Sequence, residues 1–346
     1  MSTVGFSIII PVYNAELIIG KTIEYLKKLD YENYEVILVN DGSTDETEDI
    51  IKQSINGYPR FHLVSTTNNG PGPARNMGIA KANNEYLLFF DVDDVPKNTI
   101  LKDYNEIYFK HANIDLIVSS FTYVTKKNNL VVSSKDYIAD EHIYRSKNEF
   151  LDDLYSLMNK QLMYVVWNKC YKSEIVKDNN ISFKNYRSCE DRIFNLEYLK
   201  KCNKIITSPK IEYIYEFESG RGITNDYSSN KYQTFKEFYE LTNELTNGRN
   251  KSGTASLFLK GVTSVIFSIL NNVDLSNTEK KKEISSLLTD PATVEAKTIA
   301  ITDTKSKWLL KKIYNLPTFL FIKLVSGGNF IELKFPRIMS GLKKVY

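Results

Sequence analysis

Tyr86-Leu87-Leu88-Phe89-Phe90 runs straight into Asp91-Val92-Asp93-Asp94. Five apolar residues in a row read as a buried strand. Carboxylates placed directly after such a strand are costly to bury unless something compensates them. A hard divalent cation with oxygen ligands would do so. The alternative is an acidic cap on a helix beginning near Pro96, and that reading suits Asp94 best.

Further strand candidates lie on both sides, at 6–10, 34–39, 61–64 and 115–122. Between them, helical periodicity covers 16–29, 45–56, 74–81 and 97–110. Alternation of this kind predicts an α/β domain with a largely parallel sheet, which binds ligands at the carboxyl ends of its strands. The loops expected at that edge are Pro11-Val12-Tyr13-Asn14, Asn40-Asp41-Gly42-Ser43-Thr44-Asp45, Asn68-Asn69-Gly70-Pro71-Gly72-Pro73-Ala74-Arg75-Asn76 and Asp91-Val92-Asp93-Asp94.

Each loop has a plain reading beside a chemical one. Thr44 or Asp45 can cap a helix, which leaves Asp41 free to accept a nucleobase N–H. Arg75, expected in the first turn of a helix, can pair with any nearby acid, or can meet a phosphate or brace the acidic cluster. Glu190-Asp191 opens a helix, where acids favour the dipole; a carboxylate there can also serve as general base on a hydroxyl. Trp167 is either core or a platform for a sugar face.

The chain has 346 residues, 42% hydrophobic and 25% charged, which is ordinary for a globular protein of one large domain and an appendage. The net charge of +3 is too small to suggest nucleic acid, and its distribution is uneven. Residues 305–346 hold eight Lys, one Arg and a single acid, Glu332, a net +8 that leaves −5 for residues 1–304. Three cysteines, Cys170, Cys189 and Cys202, have no CxxC spacing and suggest reduced thiols and a cytoplasmic protein. The start lacks the charged opening of a signal peptide. The apolar stretch 313–325 is interrupted by Asn315, Pro317 and Lys323, so it is not expected to span a bilayer. Residues 231–290 read as helical, with an apolar face around 257–270.

Taken together and in this order, Ser7 through Asn14, Val39 through Asp45, Asn68 through Gly78, Phe89 through Asp94, Trp167-Asn168-Lys169 and Glu190-Asp191 resemble glycosyltransferase family 2, over about residues 5–220. The resemblance implies a GT-A (Rossmann-like) fold, a mixed, mainly parallel sheet flanked by helices. The expected division is a catalytic domain at 1–220, with a nucleotide half at 1–125 and an acceptor half at 126–220. A mainly helical C-terminal region follows at 221–346.

The same resemblance implies the roles. Pro11, Val12, Tyr13, Asn14, Asp41, Asn68, Arg75, Asp91 and Val92 would bind a nucleotide-sugar, expected to be a UDP-sugar. Asp93, in a DXD-type motif, would ligate Mn²⁺ or Mg²⁺. Asp191 would be the catalytic base with Glu190 beside it, and Trp167 and Asn168 would lie on the acceptor side. The reaction implied is an inverting single displacement onto a hydroxyl of a glycan, glycolipid or cell-surface polymer, as in cell-wall or capsule synthesis. Without a QxxRW-type motif, a processive synthase is not expected. A non-catalytic nucleotide-sugar-binding partner of another transferase is the alternative. The basic tail 305–346 has two readings: docking on the anionic inner face of the plasma membrane, or packing as a helical subdomain or oligomer contact.

Overall fold

The computed structural model describes residues 3–128, 130–186, 189–218 and 230–325. The chain divides into two compact units, Met1–Arg221 and Gly222–Tyr346.

The first unit is built on β1 (Phe6–Val12), whose residues are almost all buried. A strand this apolar on both faces belongs at the centre of a helix-covered sheet. It pairs in parallel with β2 (Tyr34–Asp41) on one side and β4 (Tyr86–Phe89) on the other, and β3 (Phe61–Thr66) continues in parallel beyond β2. Helices α1 (Ile19–Leu26), α2 (Thr47–Ile55), α3 (Pro71–Lys81) and α4 (Ile100–Lys110) fall between or after these strands. The sequence-predicted alternation is therefore observed.

Past β4 the sheet becomes mixed. β9 (Lys169–Lys172) runs antiparallel to β4 and to β6 (Leu116–Lys127), and the long β10 (Ile205–Glu218) lies parallel to β6. Three short or edge strands complete it: β5 (Val95–Pro96), β7 (Leu130–Tyr137) and β8 (His142–Tyr144). Helices α5 (Lys147–Asn159), α6 (Ser173–Asp178) and α7 (Glu190–Leu199) belong to this half.

Two local features fix the parallel half of the sheet. Gly70, at φ 94°, turns the chain into α3, which starts on Pro71, where a missing N–H is harmless. One turn from its end, Gly78 lies so close to β1 that a Cβ there would meet Ile9 Cγ2 at 2.3 Å. Only glycine lets α3 sit this low on the sheet.

The second unit is helical: α8 (Lys231–Leu245), α9 (Lys251–Asn271), α10 (Asn277–Thr289), α11 (Pro291–Ile299) and α12 (Lys305–Tyr314). Its core gathers around α9, from Ala255 to Ile269, with Tyr232, Tyr239, Ile284 and Tyr314. By length and composition α9 could cross a membrane, yet 61% of its apolar window is buried. Among the described residues it is the one helix long and apolar enough to do so. Of the tail, residues beyond 325 lie outside the described residues.

Candidate active site

Because β1, β2 and β4 are parallel, Val12, Asp41 and Phe89 end at one edge, and the loops that leave them meet there. The first two loops are stitched together by Asn14. Its Oδ1 accepts the Thr44 N–H at 2.8 Å, and its own N–H donates to Ser43 Oγ at 3.0 Å. Asn14 thus shapes the rim, Val12 is a core side chain, Pro11 is half-buried, and Tyr13 stands exposed above them. Asp45 accepts the Thr47 N–H at 3.1 Å at the start of α2, the capping duty read from sequence.

Asp41 is released from that duty but is not free. It is 3% exposed, and its two oxygens accept the N–H groups of Asn69 at 2.9 Å and Gly70 at 2.8 Å. The carboxylate therefore anchors the loop entering α3. Gly42 makes this possible: at φ +68° a Cβ there would lie 2.6 Å from the Asn68 nitrogen. Asn68 itself is exposed beside Asp41.

Arg75 is the centre of the site. It lies in the second turn of α3, one turn later than sequence placed it, because α3 begins at Pro71. It is 4% exposed, with Nη2 donating to Asp91 at 2.8 Å and Nη1 to Asp191 at 3.2 Å, and Glu190 stands 3.6 Å from Nη1. Burial opposes its charge, but Asp191, Asp91 and Glu190 override that and hold its pKa above the ordinary value. The neighbouring Asn76 clamps Phe183 through both backbone groups, each at 2.8 Å. Gly72 also lies against Lys184 O and Glu190. Together these contacts bring α7 to α3.

Two carboxyls of the acidic loop, Asp93 and Asp94, are raised in pKa. Asp93 reaches solvent, yet desolvation by the walls around it and then Asp91 push its carboxyl up. Asp94 is pushed well up by burial, then by Asp91 and Asp93, against the weaker opposing pull of Tyr213 and the Glu216 backbone. It caps no helix, because Val95–Pro96 form a strand against β10 and α4 begins only at Ile100. Tyr213 of β10 takes the Asp91 N–H at 3.2 Å, and Thr22 of α1 donates to Val92 O at 2.8 Å. A cavity of about 320 Å³ opens here between α1 and the loop, lined by Lys21, Thr22, Tyr25, Asp91, Asp93 and Asp94. No three of the described His, Cys, Asp or Glu residues converge as a complete metal shell. A cation at this loop would have Asp91 and Asp93 as its nearest protein oxygens and would need further oxygens from a bound ligand.

Asp191 opens α7 after Cys189, which adopts φ 70°. Burial raises the Asp191 pKa to about 7 against the pull of Arg75, and burial raises Glu190 likewise. A carboxylate poised near neutrality is suited to take a proton.

Trp167 and Asn168 do not face an acceptor. Trp167 is 4% exposed, stacked on Tyr213 and Tyr215 and met edge-on by Phe121. Asn168 is fully buried and donates to Ser119 O and Leu162 O. Both belong to the core beneath the site. Asn76, Lys169 and Tyr213 are site-building residues that the sequence reading passed over. Asn76 and Lys169 stood inside quoted motifs, but nothing in the pattern gives the partners of a buried amide or amine.

A sequence model described as Glycosyl transferase family 2 matches residues 7–178. The chain is 29% identical over 216 residues to a poly(ribitol-phosphate) beta-glucosyltransferase of Bacillus spizizenii, covering 60% of this chain and 32% of that one. It is 27% identical over 242 residues to the poly(ribitol-phosphate) beta-N-acetylglucosaminyltransferase TarS of Staphylococcus aureus, covering 68% and 39%. This chain thus spans only 32% and 39% of the length of those relatives. Among solved structures, residues 1–349 of S. aureus TarS in complex with UDP-GlcNAc superpose with a TM-score of 0.67 at 22% identity, covering 93% of this chain and 90% of that one. At that identity the likeness is one of fold.

Proposed function

We propose, from the premise that this chain belongs to glycosyltransferase family 2, that it moves a sugar from a UDP-sugar to a hydroxyl of a cell-surface polymer by inverting single displacement. The observation that carries the reading is the meeting of Asp91, Glu190 and Asp191 on the buried Arg75 at the ligand-binding edge of the sheet. A structural frame has little use for three carboxylates gathered there, whereas a diphosphate leaving group and an acceptor proton need both charges. The relatives named above, and the UDP-GlcNAc held by one of similar fold, support UDP as the nucleotide and a polyol-phosphate polymer as the acceptor class.

In this reading Asp191 takes the proton of the acceptor hydroxyl as that oxygen bonds to the anomeric carbon. The bond from that carbon to the diphosphate oxygen breaks on the opposite face, and UDP leaves with the electron pair. Arg75 stabilises the growing charge and orients both Asp91 and Asp191. Asp93 would hold Mn²⁺ or Mg²⁺, which supplies Lewis-acid stabilisation of the diphosphate. Asp41, Asn68 and Tyr13 would receive the base. Glu190 shares Arg75 with the base and keeps it oriented.

The second unit supports a docking role. Trp308, Leu309, Phe319, Leu320 and Leu324 are exposed, residues 305–325 contain five lysines and no acid, and Lys305, Lys312 and Lys323 are exposed among them. Apolar side chains with cationic neighbours suit an anionic bilayer surface, where a membrane-bound acceptor would be presented. The site on the cytoplasmic face would then meet its polymer.

The test is a panel of UDP-, GDP-, dTDP- and CMP-sugars with Mn²⁺ or chelator. Metal-dependent release of UDP from one UDP-sugar is expected; turnover of none sinks the transferase reading and favours a nucleotide-sugar-binding partner.

A further inference from the structure

Lys169 is fully buried, an uncommon place for a lysine, and the mechanism above does not use it. Its Nζ lies 2.7 Å from Leu162 O, 2.6 Å from Val165 O and 2.8 Å from Asn168 Oδ1. Three acceptors are the partner set of an ammonium, which has three donors and accepts nothing. Burial pulls the pKa down to about 7, and Asp191 is the carboxylate that pulls it back. The same carbonyl loop is gripped from α7. Asn195, one turn after Asp191, donates to Met163 O and Val165 O, each at 3.1 Å, and Arg192 lies over the Tyr164 ring at 4.3 Å.

We propose that Lys169 is a positioning residue for Asp191: its ammonium folds the carbonyls of the 162–165 loop inward against the first turns of α7 and so fixes where the base stands. The inference rests on the reading of Asp191 as base. Around Asp191 stand Arg75 from α3, Asp91 from the loop after β4, Glu190 from α7, and Lys169 and Tyr171 from β9. Arg75 and Lys169 are the two cations in that set. Loss of Lys169 therefore frees the loop and removes one of the two charges that favour the ionised base.

The experiment is a ¹³C titration of aspartate-labelled full-length protein, with the Asp191 resonance identified by its loss in Asp191→Asn. It is run on wild type, Lys169→Met, Lys169→Gln and Lys169→Arg, beside the pH dependence of UDP release from UDP-GlcNAc. The Asp191 midpoint should rise in Lys169→Met and Lys169→Gln and return in Lys169→Arg, with the acid limb of UDP release moving the same way and UDP affinity unchanged. Gln keeps donors for the carbonyls, so it decides the matter should Met fail to fold. A midpoint that stays put in a folded variant overturns the proposal. Undiminished UDP release in Asp191→Asn overturns the base reading instead, which the titration tells apart because it needs no turnover.

Discussion

Arg75 and Asp191, 116 positions apart in sequence, meet at 3.2 Å, and the same guanidinium holds Asp91 at 2.8 Å. One buried cation thus joins the loop after β4 to the start of α7, which puts the acidic loop and the proposed base in one site.

Removing that cation leaves three partly buried carboxylates facing one another without a counter-charge. Arg75→Met is expected to cost about 3–5 kcal/mol of stability and to abolish sugar transfer. Arg75→Lys keeps charge but cannot bridge two carboxylates with a planar fork, so it should recover part of the stability and little turnover. Urea unfolding beside UDP release checks both.

Gly42 lets Asp41 reach the loop before α3. Gly42→Ala forces a Cβ toward the Asn68 nitrogen at a left-handed φ, for about 1–3 kcal/mol of lost stability. Calorimetry should show weaker UDP binding as the 66–70 loop shifts; unchanged affinity would separate that loop from the nucleotide site.

Trp167 lies between β6 and β10 as core. Trp167→Ala should cost about 3–5 kcal/mol and leave UDP affinity intact in the protein that remains folded. A folded variant of full stability whose only defect is acceptor use would restore the sugar-platform reading.

Asp191, raised to about 7 by burial, makes transfer climb with pH through an acid limb near that value. The stability sign runs the other way. A folded pKa above the unfolded value of about 3.9 means a contribution present at low pH and lost as pH rises through about 7. Glu190 shifts in the same direction. Asp191→Asn should therefore lose less stability than wild type on going from acid to neutral pH, as read by thermal melts.

If the cationic apolar face of the second unit meets lipid, the full chain should float with phosphatidylglycerol vesicles and stay down with phosphatidylcholine. Changing Lys305, Lys312 and Lys323 to Glu should remove flotation, at about 1 kcal/mol per charge. Equal flotation of that variant would return the face to a role within the protein or between copies.

The β-α alternation of the first half was legible because β1, β2 and β4 are apolar on both faces and α1 repeats its apolar positions at helical spacing, at Ile19, Ile23 and Leu26. The strand-end loops followed from it. Less legible was whatever depends on distant partners. Asp94 read as a cap because Val95–Pro96 do not look like a strand until β10 lies beside them. Trp167 stood open between core and platform, because the two tyrosines of β10 that cover it come together with it only in the fold. The grip of Lys169 on two backbone carbonyls has no sequence signature at all.

The most direct test of the account is UDP release from UDP-GlcNAc and UDP-glucose by wild type, Asp93→Ala and Asp191→Asn in Mn²⁺, with UDP affinity measured on each. The account predicts that Asp191→Asn binds UDP as wild type does and loses roughly 10²–10⁴-fold in turnover, while Asp93→Ala loses metal-dependent affinity as well. Turnover by Asp191→Asn equal to that of wild type would contradict it.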